Sequence, residues 1–432
     1  MEFKTCDILL RHITWLTPDM TVRRGDAVAV AGGRIAAIFP DGEARAWTAA
    51  ETVDGSGRLW MPGLVDGHTH TGQQLLRGKV LDELPMIWTR IMLPFESTLT
   101  PEKMRLSAQL AALEMIACGT TGFVDAGSYF MEEAAQVYEG SGLRGALTCS
   151  AMDAEPVPDS IRQTAAQAVA ATDALYDRFH GRGGLSVFYD VRALQSCSEE
   201  LILSAADHAK ARSTFLQAHV SEYPGEVNGC LQRHRLRPYE YLESLGVLSD
   251  KFIGAHSLLL SQREMDLIAA RGSRVVYCPF SNCAKAVPDV TALLDRGVGL
   301  ALGTDGAAHG GLSLWSEMKI FRSVINATWG IFRADPAVLP AERILTMATQ
   351  GGAALLEIEG KLAPGCAADL ISIDLENPRL GVTADLTHSL LESAQAGDVR
   401  DSMVNGRWLM RERRILTLDQ ERILAQAAEL DL

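Results

Sequence analysis

The stretch Met61-Pro62-Gly63-Leu64-Val65-Asp66-Gly67-His68-Thr69-His70 decides how this chain is read. Gly63–Asp66 has the short apolar character of a buried strand, and two histidines follow it, one residue apart. In a strand, residues i and i+2 share a face, so both imidazoles point the same way. Imidazole nitrogen suits zinc and similar divalent metals. Alone, the pair is a weak signal that a surface coincidence would also produce. Its meaning depends on what the rest of the chain brings beside it.

Further apolar runs follow at Thr121–Val124, Gly145–Cys149, Leu185–Val191, Thr214–His219, Phe252–Ala255, Arg274–Cys278 and Gly299–Gly303. Helical patterns separate most of them. The clearest is Pro101–Cys118, with Thr100 as N-cap, Pro101 at the first helical position and Gly119 as the stop. Glu199–Arg212 and Ser261–Arg271 are similar. This alternation predicts an α/β fold, a (β/α)₈ TIM barrel over residues 61–364, with a doubly wound open sheet as the alternative.

In such a barrel the C-terminal ends of the strands converge on one face. That face would carry His68 and His70, then His219 with Glu222 just beyond, then His256, then Asp305. His68, His70, His219 and Asp305 form a candidate ligand set. An aspartate at a buried strand end is costly unless it is paired or bound to metal. His219 alone would read as a satisfied core histidine. Glu222 could shuttle a proton from metal-bound water, or be a solvated loop carboxylate. His256 could ligate the metal or hydrogen-bond the attacked group. A second metal would need a bridging group such as a lysine on the fourth strand; Leu185–Val191 holds none, so one metal is expected.

The chain ends differ from the middle. In residues 1–60, Gly32-Gly33 lies between two short apolar runs, a hairpin signal. In residues 365–432, Asn405-Gly406 is flanked by Met403–Val404 and Trp408–Met410 in the same way, after a buried-strand run at Asp369–Ile373. Two β-rich ends too small to fold alone predict one β-sandwich built from both, with a closing helix at Asp419–Leu430.

Composition narrows the partners. With 54 acidic against 40 basic residues and a formal charge of −14, nucleic acid and anionic membrane are disfavoured as partners. No apolar stretch approaches the roughly 20 residues that span a bilayer. Met1, Glu2, Lys4 and Asp7 do not read as a signal peptide. Eight cysteines without a Cys-x-x-Cys pair suit a reducing cytoplasm rather than a disulfide scaffold.

Taken in order, Met61–His70, His219-Val220-Ser221-Glu222, Gly254-Ala255-His256, Cys278-Pro279-Phe280-Ser281-Asn282, Leu302-Gly303-Thr304-Asp305-Gly306 and Gly360–Leu370 resemble the amidohydrolase superfamily. The resembling branch is that of the aminohydrolases of purines, purine nucleosides, pterins and triazines. The resemblance implies that His68, His70, His219 and Asp305 bind one divalent metal, usually zinc and sometimes iron. It implies that Glu222 carries a proton to a ring nitrogen. His256 would polarise the attacking water or the developing tetrahedral centre. Asp305 would also take a proton and help ammonia leave. A small heterocyclic substrate and a homo-oligomer are expected. With every expected ligand and proton carrier present, a non-catalytic role is disfavoured.

Two substrate readings compete. Leu75-Leu76-Arg77-Gly78 with Asp82, Leu84 and Trp88, then Pro94-Phe95-Glu96, Gly306-Ala307-Ala308 and Glu317-Met318 resemble 5′-methylthioadenosine/S-adenosylhomocysteine deaminases, whose glutamate at the Glu96 position meets ribose hydroxyls. Arg192-Ala193-Leu194-Gln195 departs from the His-Ala-Pro-Tyr of that group, and His309-Gly310-Gly311 from its Ser-Asn-Asn. Gln73, and Arg192 ahead of Cys197-Ser198, instead resemble guanine deaminases. Arg192 is an obligate donor that would favour a ring carbonyl or a carboxylate, or form a rim salt bridge. The expectation is an oxo-amino purine or pterin, guanine-like. The adenosine-type nucleoside is the alternative, followed by hydrolysis of a cyclic amide or triazine. Gln73, Arg77, Trp88, Glu96, Arg192 and His309 are the candidate substrate contacts. Trp88 and Trp315 could wall an aromatic ring or simply pack, His309 could instead cap a helix, and Cys278 and Cys283 read as buried thiols.

Overall fold

Parallel strands build the middle of the chain in this computed structural model, which describes residues 4–84 and 86–430. Residues 1–3 and 431–432 of the two expected β-rich ends lie outside the described residues. One five-stranded sheet runs in the order Asp305–Gly306, Leu64–His70, Thr120–Asp125, Arg144–Leu147, Leu185–Val187. A second runs Tyr189–Ala193, Leu216–Val220, Phe252–His256, Arg274–Tyr277, Leu300–Leu302. Leu64–His70, Thr120–Asp125, Leu216–Val220 and Phe252–His256 are buried along their whole length, as expected of parallel strands covered on both faces.

The sheets meet at two interrupted strands. Phe188 N–H donates to Leu147 O (2.9 Å) while Tyr189 N–H, one residue on, donates to Phe215 O (2.9 Å). Gly303 N–H donates to Tyr277 O (2.7 Å) and Thr304 N–H to His68 O (3.1 Å). The chain therefore hydrogen-bonds to both sheets as it passes each interruption.

Helices separate the strands where caps and periodicity place them. Pro101–Cys118 starts at Thr100, whose side chain accepts from Lys103 N–H, and stops at Gly119, in the left-handed region at φ +82°. Ser198 and Ser261 cap Glu199–Ala211 and Gln262–Arg271 in the same way. Such caps contribute about 1 kcal/mol each.

Both chain ends enter one mixed sheet of nine strands, so hydrogen bonding runs continuously between them. The reason lies in Lys4–Leu16, which is far longer than its apolar run suggested. Its first part pairs with Trp47–Asp54 and its last residues with Arg58–Pro62, across a register break at His12, where φ is +52°. Asn405 and Gly406, both at positive φ, join Val399–Val404 to Arg407–Arg411, and Gly32-Gly33 joins Val22–Ala31 to Arg34–Pro40. Gln420–Ala428 packs its buried Ile423 against the Pro101–Cys118 helix. Among the described residues, no helix is long and apolar enough to cross a membrane.

Candidate active site

The ends of the parallel strands place the ionisable residues. Asp66 ties two of them together: Thr304 N–H donates to its Oδ1 (3.0 Å), Thr304 Oγ1 to its Oδ2 (2.5 Å), and His68 N–H to Oδ1 (3.2 Å). Burial pushes the Asp66 carboxyl up to about 7. Gly303 permits the approach, because a Cβ there would lie 2.7 Å from His68 O. Asp305 then sits at φ +61°, a conformation that non-glycine residues hold only when their surroundings impose it.

His68, His70, His219 and Asp305 come together there. His70 Nε2 is 3.2 Å from His219 Nε2 and 3.4 Å from Asp305 Oδ1, and His68 Nε2 is 4.0 Å from the same oxygen. All four residues are buried. Burial lowers the imidazoles far below their ordinary range, His68 to about 3, so they are neutral with lone pairs free. Burial opposes ionisation of Asp305, but its surroundings, His309 and the Lys285 ammonium foremost, hold it well below the usual carboxylate range. Of the nitrogens that face one another here, His68 Nε2 is buried without a hydrogen-bond partner. Unpaired buried polar atoms are expensive in a folded protein. Neutral imidazoles gathered with a carboxylate suit a divalent metal ion, and both His68, His70 and Asp305 and His68, His219 and His256 are compact enough to hold one.

Glu222 and His256 stand beside this set. Glu226 accepts Ser221 N–H (2.8 Å) and Glu222 N–H (2.9 Å), which holds the turn after Leu216–Val220. Burial works against ionisation of Glu222, but interactions with His256 and Lys285 outweigh it and keep the carboxyl low. His256 Nε2 lies 3.6 Å from Glu222 Oε1. Its Nδ1 is 2.9 Å from Asn282 Nδ2, and the Asn282 amide is oriented by Cys278 N–H donating to Oδ1 (3.0 Å). Asn282 therefore donates to Nδ1, which leaves the proton of neutral His256 on Nε2, facing the site. A protonated Nε2 is a hydrogen-bond donor, although with His68 and His219 this histidine also forms a group compact enough to hold a metal ion.

His70, Gln73, Trp88, Arg192, His219, Glu222, His256, Asp305 and His309 all line the pocket above these groups. His309 Nε2 is 3.8 Å from Asp305 Oδ2. Glu96 lies behind two of these lining residues: its Oε1 accepts from Arg192 Nη2 (3.0 Å) and Gln73 Nε2 (3.2 Å), and its Oε2 is buried and unpartnered. Arg192 also donates to Gly127 O and Ser150 Oγ, both at 3.3 Å.

Two expectations, for Arg77 and Cys283, are corrected, and the alternative left open for Trp315 is decided. Arg77 is half exposed and turned away from the pocket, paired with Glu114 of the Pro101–Cys118 helix and with Gln74 Oε1 (2.9 Å). Trp315 is buried with its indole N–H on Cys118 O (2.9 Å), so it packs rather than walls the pocket. Cys278 is buried, but Cys283 is exposed. The sequence reading missed Ser281, Asn282 and Lys285 as site residues. Ser281 Oγ donates to Asp305 Oδ2 (2.7 Å) and Lys285 Nζ to Glu222 Oε1 (2.5 Å). Ser281 and Asn282 carry a signal in the Cys278–Asn282 motif; Lys285 lies beyond it and carries none.

A family model for the amidohydrolase family matches residues 59–409. The chain belongs to the amidohydrolase family. It is 33% identical over 440 residues to 5-methylthioadenosine/S-adenosylhomocysteine deaminase of Syntrophobacter fumaroxidans, covering 98% of this chain and 97% of that one. It is 31% identical over 433 residues to 5′-deoxyadenosine deaminase of Methanococcoides burtonii, covering 98% and 96%. The crystal structure of an adenosine deaminase from Xanthomonas campestris with bound zinc superposes with a TM-score of 0.93 at 29% identity, covering 99% of this chain and 98% of that one. This amidohydrolase is thus a hydrolase acting on carbon–nitrogen bonds, of the deaminase type.

Proposed function

We propose that this amidohydrolase deaminates the adenine ring of an adenosine-type nucleoside, with one zinc ion held by His68, His70, His219 and Asp305. The two parallel sheets are read as halves of one eight-stranded ring spanning residues 61–364, in keeping with the hydrogen bonds across Phe188 and Gly303-Thr304. Residues 1–60 and 365–432 are read as the companion domain.

The observation that carries the substrate is Glu96. Its buried Oε2 has no partner, and it is bonded to two residues that line the pocket. A carboxylate oxygen accepts hydrogen bonds only, so it suits a ligand that offers hydroxyl donors, as a ribose does. The full-length relatives named for adenosine-type substrates support the same reading. The guanine-like base expected first is the weaker reading. Gln73 and Arg192, which carried it, direct donors to Glu96, and Arg192 also bonds Gly127 O and Ser150 Oγ.

Bound there, a divalent cation would act as a Lewis acid and make a water molecule nucleophilic near neutral pH. Glu222, ionised and within reach of the site, takes a proton from the attacking water and delivers it to the ring nitrogen beside the attacked carbon. His256 Nε2–H donates to the incoming oxygen. Asp305 receives the second proton and passes it to the departing amine. The carbon–oxygen bond forms, the carbon–nitrogen bond breaks, and ammonia leaves.

The test is ammonia release by zinc-loaded protein from 5′-methylthioadenosine, S-adenosylhomocysteine, 5′-deoxyadenosine, adenosine, guanine, pterins and triazines. The highest kcat/KM is expected on a nucleoside, and Glu96→Gln should lower it there by about 10-fold or more, as loss of a charged hydrogen-bond acceptor does. A higher kcat/KM on guanine or a pterin overturns the nucleoside reading. No ammonia from any member overturns the deaminase.

A further inference from the structure

We propose that Lys285 is a positioning residue that holds the Glu222 carboxylate in register with the site. Its ammonium lies 2.5 Å from Glu222 Oε1 and 3.9 Å from Asp305 Oδ2, with the side chain 6% exposed. It also sits 5.2 Å from the centre of the Tyr223 ring. A lysine this deeply buried is stable only as a partner to negative charge. Here it stands between two carboxylates whose mutual repulsion would otherwise drive them apart.

The backbone that carries Lys285 is itself pinned to the site. Pro279–Asn282 forms a single helical turn, with Phe280 N–H donating to the buried Glu317 Oε2 (2.8 Å) and Lys285 N–H to Asn282 O (2.8 Å). On this one short segment Ser281 bonds Asp305, Asn282 bonds His256 and Lys285 bonds Glu222. Each of the three proton-handling groups thus receives a hydrogen-bond partner from it. Ser281 and Asn282 grip strand-end residues whose backbones are already fixed by their strands. Glu222 lies beyond its strand on a turn, and Lys285 is the only cation within bonding distance of its carboxylate among the described residues. Without that partner the carboxylate would have several rotamers open to it.

Lys285 does not line the pocket, and its ammonium is engaged by Glu222 and Asp305 rather than left unpartnered toward a ligand. Its loss should therefore act on the proton-transfer step and leave binding alone. General acid–base catalysis contributes about 10²–10⁴-fold, and displacement by about 1 Å can cost about 10²-fold.

This inference rests on the deaminase reading, and the experiment separates the two. The wild-type rate on the nucleoside panel tests the deaminase; variant-to-wild-type ratios, metal content and crystal structures of the zinc-loaded variants test Lys285. Lys285→Met is expected to lower kcat about 30-fold or more, with KM within about 2-fold and the wild-type metal content retained. Lys285→Arg should recover most of that loss. In the Lys285→Met crystal structure the Glu222 carboxylate should be displaced or disordered while His68, His70, His219 and Asp305 stay in place. A Lys285→Met enzyme with wild-type kcat, or one with Glu222 unmoved, overturns the proposal. So does a Lys285→Arg enzyme as impaired as Lys285→Met. If Lys285→Met does not fold, Lys285→Gln and Lys285→Arg carry the same comparison, and equal kcat in those two overturns it as well.

Discussion

The two halves of this site are held by different kinds of structure. His68, His70 and His219 lie on strands, and Asp305 on a two-residue strand hydrogen-bonded beside the first of them. Their directions follow from backbone pairing. Glu222, Asn282 and Lys285 lie on turns, and each is oriented by another side chain. A sheet aims residues without regard to what they touch, whereas a turn aims them only through their contacts. The metal-competent half should therefore fail completely or not at all, and the proton-handling half should fail by degrees.

The largest effect belongs to the strand-end half. Removing the metal with a chelator, or His219→Ala, should abolish ammonia release by about 10³-fold or more, and elemental analysis of His219→Ala should find the metal largely gone. A fully active His219→Ala enzyme would mean that the strand ends do not hold the ion. A smaller effect is expected of Glu222→Gln, which preserves shape but cannot carry the proton. Its kcat should fall about 10²–10⁴-fold with metal content unchanged. Loss of metal in that variant would erase the distinction between the halves. The smallest effect is expected outside both. Arg77→Ala removes a half-exposed pair with Glu114, so kcat/KM should stay within about 2-fold and stability within about 1 kcal/mol by thermal unfolding.

Arg77 also marks where sequence reading stopped. It lies near Gln73 in sequence and was grouped with the substrate contacts, but Glu114, 37 residues away, draws its guanidinium to the opposite side. Glu96 and Arg192 were each assigned to a different substrate. They are bonded to each other, a relation between residues 96 apart that no local pattern reports. Lys285 was overlooked because a lysine in a loop ordinarily reads as solvated.

What the chain alone determined is whatever repeats along the backbone or terminates it. Apolar runs, helix caps and glycine turns set the parallel strands, the Pro101–Cys118 helix and both end hairpins, because those signals act over a few residues. They also marked His68, His70, His219 and Asp305, since residues at strand ends share a face by geometry. The tertiary structure alone decided the continuous nine-stranded sheet, the donor role of His256, the Glu96–Arg192 pair and the seat of Lys285. Each depends on which distant side chain supplies the partner that a buried polar group requires.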